Sequence, residues 1–310
     1  MLRKSKNHEI ARRSYFNDLT TAAKERWKSF WLQESKTRPL AYVRILLGLV
    51  VALLAAEGLV TLPAWISSSG VVDASLARAL VGVGLGWDSL FRPSLLYYVS
   101  SPLGIQVYLV GLMLAGLLLA AGCGGRITAA LVYVLSLGIC HRMPILTGPG
   151  EYLLSAMLLY LIVDTGKLQN LIRPGVSDGG ERWTAHAATR LMQVHLWMWI
   201  LFSLLTQLAA VIWWEGEAVW FLAAAHRSFF STSLLADNAY LVNALTHGLI
   251  LAQVLAVLCL PKPLTRPLGL IAAIVTWLGI ALFSGDIAYA CIGVSSSLAF
   301  ATIRTHPCPD

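Results

Sequence analysis

The residues of this chain that could do polar chemistry fall into a few short clusters. His141-Arg142-Met143-Pro144 is followed closely by Thr147-Gly148-Pro149-Gly150-Glu151. Further on, Gln207 precedes Trp213-Trp214, and the acidic turn Glu215-Gly216-Glu217 follows; Asp286 stands alone between two apolar runs. A histidine, an arginine and several carboxylates around one mouth could bind a polar substrate. The same residues could instead make a solvated rim held by a few loop salt bridges. Deeper in apolar sequence lie His195, His247 and Gln253, which read as interhelical hydrogen bonders, and no two of them have metal-ligand spacing. The five cysteines (Cys123, Cys140, Cys259, Cys291 and Cys308) are scattered without a CxxC pair and read as small membrane-helix residues. There is no phosphate-binding glycine loop, no HExxH and no GxSxG elbow, so no catalytic residue and no metal site is assigned.

The elements that position these clusters are membrane helices. Hydrophobic residues make up 57% of the 310 and charged residues only 13%, against about 25% charged in soluble domains. The composition implies a polytopic all-α membrane bundle with no room for a large soluble domain. A formal charge of +7 could suggest nucleic acid as a partner, but ten of the 23 Lys and Arg lie before residue 40, which suits an anionic leaflet instead. Residues 1–30 lack the apolar core of a cleavable signal peptide.

Eight spans are expected: Leu40–Leu59, Leu103–Ala121, Ile127–Ile145, Tyr152–Val163, Ala188–Trp213, Tyr240–Leu260, Pro267–Phe283 and Ile287–Ile303. Residues 8–35 read as a basic amphipathic helix lying on the membrane, with Phe16, Leu19, Ala23, Trp27 and Phe30 at helical spacing; a partner-binding arm is the competing reading. With both termini cytoplasmic, 18 of the Lys and Arg fall on the inner side, 4 on the outer, and Arg44 lies within span one. This topology places His141, Arg142, Glu151, Glu215 and Asp286 at the outer face, with Gln207 one to two turns inside. Residues 60–102 and 214–239 would roof that face as interfacial helices, and 166–183 is a plain inner connector. On the fifth span, Arg190, Gln193, Trp197 and Gln207 share one arc and His195, Trp199 and Thr206 another, so both arcs should face protein or a wet cavity. Arg44 and Asp164 lie at similar inner depth on separate spans and could pair; the alternative for Arg44 is snorkelling to the headgroups.

Several strings resemble, in order, the bacterial HTTM-domain proteins, membrane relatives of vitamin K-dependent γ-glutamyl carboxylase. Arg38–Gly48 resembles the family's opening, Arg142–Glu151 its loop before span four, and Gln193 with Trp213-Trp214-Glu215-Gly216 its fifth span and exit. The resemblance implies a helical membrane fold. It also implies a site for reduced vitamin K at the outer face, where a base drives epoxidation coupled to glutamate carboxylation. The carboxylases carry a lysine about one and a half turns before the tryptophan-glycine exit, and the matching position here is Gln207. An amide is no general base. Gly150 stands where the carboxylases carry a histidine.

The expected organisation is a cytoplasmic basic segment 1–37, an HTTM-like transmembrane domain 38–304 and a cytoplasmic tail 305–310. The expected function is an inner-membrane protein whose outward cavity takes a quinone-like or lipid-like molecule through Gln207, His141, Arg142, Glu151, Trp213 and Glu215, without carboxylase activity. A reduced quinone is the candidate cofactor, and Arg44 and Asp164 are structural. The alternative is a non-enzymatic accessory subunit with a peptide or protein partner. Membrane lipid is a partner in either case, and nucleic acid is not.

Overall fold

The computed structural model describes residues 20–32, 38–81, 94–165, 183–224, 229 and 232–301. Outside them lie the connector 166–182, Trp87 and Phe91, most of the expected N-terminal helix before residue 20, and the tail 305–310. Eight helices build the bundle: α1 (Arg38–Ile66), α2 (Pro102–Ala121), α3 (Gly125–Arg142), α4 (Pro149–Val163), α5 (Trp183–Ala209), α6 (Ala239–Cys259), α7 (Arg266–Ser284) and α8 (Ile287–Ser297). No strand occurs among the described residues. Five of these helices contain stretches long and apolar enough to cross a membrane: Pro39–Ile66, Pro102–Ala121, Trp183–Ala209, Ala239–Cys259 and Arg266–Ser284. The apolar helices Pro149–Val163 and Ile287–Phe300 are shorter.

Local chemistry sets the helix ends. Ser101 accepts from the Gly104 N–H at the start of α2, with Pro102 in the first turn, where a missing N–H costs nothing. Asn238 caps α6 by accepting from Leu241 N–H, and Asp286 caps α8 by accepting from Tyr289 N–H. Helix α1 runs past its expected end at Leu59 to Ile66, carrying Pro63 inside it. Helix α5 stops at Ala209 rather than Trp213. Ala210 is extended (φ −100°, ψ 127°), and a new turn, Val211–Trp214, begins after it. Helix α8 reaches only Ser297 and finishes as the 3₁₀ turn Leu298–Phe300.

The core is apolar and shared. Leu47, Leu119, Met157, Leu158, Met192 and Ile292 are fully buried in one cluster. Helix α1 packs chiefly on α2, α3 on α4, and α6 on α7, while α8 touches α1, α4, α5 and α7. Helices α4 and α8, the shorter apolar pair, pack among the longer ones. The outward face is apolar too: Leu53, Val107, Ile127 and Leu258 are exposed, as a lipid-facing belt requires.

The α1–α2 contact rests on two glycines. A Cβ at Gly48 would lie 2.7 Å from both the Gly116 carbonyl oxygen and the Ala120 nitrogen, and one at Gly116 would lie 2.9 Å from the Gly48 oxygen. Backbone meets backbone there, the close approach that small residues permit in membranes. Gly48→Ala should lower stability by about 1–3 kcal/mol, since neither helix can yield by bending a side chain. Gly111→Ala, where a new Cβ meets nothing within 4 Å, should cause no loss. Thermal melts of the two variants in one detergent check this; equal midpoints would contradict the packing.

Candidate functional site

Arg142, the last residue of α3, is 0% exposed. Its Nη2 donates to the Ile66 carbonyl (3.1 Å) and the Val72 carbonyl (2.9 Å). Its guanidinium carbon lies 5.7 Å from the Tyr97 ring centroid, and the Tyr97 hydroxyl donates to the His141 carbonyl (2.8 Å). Ile66 ends α1, so its carbonyl lacks an intrahelical partner; Arg142 supplies one and holds the turn after α1 against the end of α3. Beyond Val72, Asp73 caps the short helix Ala74–Val81. The Leu76 N–H and the Ser75 hydroxyl hold its carboxyl below the usual carboxylate range, with a smaller contribution from the Arg142 charge.

Just inside this clamp is a cavity of ≈ 250 Å³ between α1, α2, α3 and α4, near the lower end of small-molecule sites. Val51, Leu54, Leu112, Ile139 and Leu154 form apolar walls, while Glu57, Ser136, Cys140, Thr147, Glu151 and Ser155 bring polar atoms to it. Two of the hydroxyl protons are already committed: Ser155 donates to the Glu151 carbonyl (2.8 Å) and Thr147 to the Met143 carbonyl (2.9 Å). One Glu151 oxygen, Oε2, accepts from the Gly148 N–H at the start of α4 (2.9 Å). Together with Glu57, these groups offer a ligand lone pairs rather than protons. No Lys, Arg or His is part of the described lining. Such a cavity suits a compact apolar ligand that donates hydrogen bonds, as a hydroquinone or a polyol headgroup does.

The residues expected to form one site are divided. Of the six, only Glu151 lines this cavity. Arg142 lies beside it as a clamp, and His141 is half-buried, with its carbonyl engaged by Tyr97. Gln207, half-buried near the end of α5, donates from Nε2 to Ser203 Oγ (3.3 Å), and its buried Oε1 has no partner among the described residues. Trp213 packs against a separate apolar cluster of Val219, Leu235, Val242 and Phe283. Glu215 is exposed, and its carbonyl accepts from Asn243 Nδ2 (3.2 Å). Gln207, Trp213 and Glu215 thus gather at the α5–α6 end of the bundle, away from the cavity. Glu57 and Cys140 were not singled out from the sequence. Glu57 was visible there as a lone carboxylate in an otherwise apolar span, the usual sign of a functional position.

At the opposite end, Arg44 is 1% exposed, so it does not reach for headgroups. Its Nη1 donates to the Thr165 carbonyl (3.1 Å), next to Asp164. Asp164 is buried, and its Oδ2 accepts from the Thr184 hydroxyl (2.5 Å). Gly122 ends α2 with φ +82°, and a Cβ there would come within 2.8 Å of Arg44 Nη2. Glycine is required here by both the left-handed turn and the guanidinium beside it. Of the deeper polar residues, His195 bonds across helices, its Nδ1 3.0 Å from the Tyr160 hydroxyl, and Trp199 Nε1 donates to the Tyr289 hydroxyl (2.9 Å). His247 does not, being exposed with its Nδ1 3.0 Å from the Asn243 carbonyl one turn earlier on the same helix. The buried Gln253 Oε1 has no partner among the described residues. Cys123, Cys140, Cys259 and Cys291 are free thiols. No group of three or more metal-ligating side chains occurs among the described residues.

Comparison with family profiles, curated proteins and solved structures finds no match in any of the three.

Arg142→Ala should lower stability by about 3 kcal/mol or more, because two carbonyls lose a charged donor in an apolar setting. Arg142→Lys should recover only part, since an ammonium lacks the planar fork. Denaturation midpoints in detergent check both; a wild-type midpoint for Arg142→Ala would remove the clamp from the account.

Proposed function

We propose that the chain is a multi-pass inner-membrane protein of eight spans with both termini cytoplasmic. Its cavity at the outer ends of α1–α4 binds a quinone-like or lipid-like molecule. The observation that carries this reading is the lining: apolar walls of helix side chains with acceptor groups, Glu57 and Glu151 among them, and no cation among the described residues. A reduced quinone carries a flat apolar ring and two hydroxyl donors, which complement such a lining. The 18-to-4 distribution of basic residues supports the topology. The exposure of Trp27, Phe30 and Leu32 on helical residues 20–32 supports an interfacial N-terminal helix.

The resemblance to the HTTM and γ-carboxylase proteins supports the same ligand class but not their reaction. Carboxylation needs a base strong enough to deprotonate a hydroquinone in a dry site, for which a desolvated lysine can be tuned. Gln207 has no such capacity; its amide can only orient a partner. His195 is bonded to Tyr160 deep between α4 and α5, and Glu215 is exposed to solvent. The chain therefore binds its ligand without carboxylating glutamate.

Protein purified in mild detergent should carry a quinone or lipid in stoichiometric amount, identified by mass spectrometry after extraction. Leu54→Trp, which fills the cavity, should reduce that occupancy by tenfold or more, on the order of 1.4 kcal/mol. Full occupancy in Leu54→Trp would place the ligand elsewhere. Incubation with reduced vitamin K, labelled bicarbonate and a glutamyl peptide should give no labelled peptide; incorporation that persists in Gln207→Ala would show that another base operates.

A further inference from the structure

A second pocket, of ≈ 200 Å³, opens at the Arg44 end of the bundle, far from the cavity described above. Phe30, Val194, Trp197, Leu260, Pro261 and Phe300 give it an apolar wall, and Arg190, Gln193 and Arg266 give it polar atoms. Two guanidinium groups thus line one small pocket, and no Asp or Glu is part of its described lining. Like charges at close range repel, and taking each out of water is costly without a counter-charge.

The protein satisfies these arginines only in part. Arg266 is 8% exposed, and its only hydrogen bond among the described residues runs from Nε to the Leu260 carbonyl (3.3 Å). Neither of its Nη atoms has a protein acceptor there. Arg190 Nη1 donates to Gln193 Oε1 (3.0 Å), and Gln193 is itself fixed by donating to the Ala299 carbonyl (2.7 Å). Arg190 Nε points at His186 Nε2 (3.3 Å), but that nitrogen lies 2.9 Å from the Phe30 carbonyl. A carbonyl only accepts, so Nε2 must carry the proton and has no lone pair for Arg190. The Phe30 ring, 4.8 Å from the Arg190 guanidinium carbon, adds a cation–π contact. Arg190 Nη2 and both Nη atoms of Arg266 remain as donors without acceptors among the described residues.

We propose that this pocket is a binding site for a phosphate group, with Arg190 and Arg266 clamping its oxygens and the apolar wall receiving the glycerol and upper acyl region of an anionic phospholipid. A phosphate diester supplies the missing negative charge and several acceptors in the geometry that guanidinium forks match. The setting favours a lipid source. Phe30 ties the pocket to helical residues 20–32, which expose Lys24, Arg26 and Lys28, and the proposed topology turns this side toward an anionic leaflet. Trp27 and Leu32 are exposed on the same helical residues.

The full chain is reconstituted in phosphatidylcholine nanodiscs and titrated with phosphatidylglycerol or with inorganic phosphate, reading the melting temperature. Phosphatidylglycerol should stabilise the wild type in a saturable way. Arg190→Gln with Arg266→Gln should weaken the apparent affinity roughly 10- to 30-fold, the effect of two phosphate-facing charges. Lys24→Gln, Arg26→Gln and Lys28→Gln together, on an exposed face, should leave most of it. Val194→Trp fills the pocket without removing charge and should abolish the saturable effect, which decides the matter if the arginine variant does not fold. Stabilisation by inorganic phosphate at the same two arginines assigns the clamp to a soluble phosphate compound. No stabilisation by phosphatidylglycerol over the phosphatidylcholine baseline, or an undiminished phosphatidylglycerol effect in Val194→Trp, overturns the proposal.

Discussion

One constraint shapes both ends of this bundle: a guanidinium withdrawn from water needs acceptors, from the protein or from a ligand. Arg142 and Arg44 meet it in part at opposite ends, through backbone carbonyls that helix ends or turns leave unpaired. Two separate deficits, a buried cation and orphaned carbonyls, offset each other at each end. The consequence is positional. Arg142 joins the end of α1 to the end of α3, and the space between those helices is the cavity; Arg44 joins α1 to the corner after α4 and beds on the turn after α2. Helix α1 is pinned at both ends, and its exposed Glu57 lies along the mouth of the cavity.

The sequence allowed depth to be counted but not azimuth. Rise per residue is fixed in a helix, so Arg44 and Asp164 could be placed at one level, and the structure brings both to the Asp164–Thr165 corner. Rotation about the bundle axis depends on which small residues let two backbones approach. Gly48 and Gly116 decide that for α1 and α2, and no periodicity announces it. For that reason Glu151 and Gln207, both expected at the outer level, fall in different compartments. The break at Ala210 was equally hidden, because Leu208–Trp213 is apolar throughout and nothing local marks the stop. Glu57 is legible as a charge in an apolar span.

The two ends of the molecule have opposite polar character. Among the described residues, the α1–α4 cavity presents acceptors and no cation, whereas the pocket beside Arg190 and Arg266 presents donors and no carboxylate. A neutral hydrogen-bond donor fits the first and an anion the second, so one ligand cannot serve both. The ligand proposed for the cavity is thus distinguished by chemistry from bulk anionic lipid.

The most direct measurement of that central claim is photolabelling with an alkylated hydroquinone carrying a diazirine on its ring, with the labelled residues mapped by mass spectrometry. The account predicts labels on residues 51–62 of α1 and on 136–155 of α3 and α4, lost on competition with unlabelled hydroquinone. Competed labelling centred on Gln207 to Glu215, with the α1–α4 cavity unmarked, would contradict it.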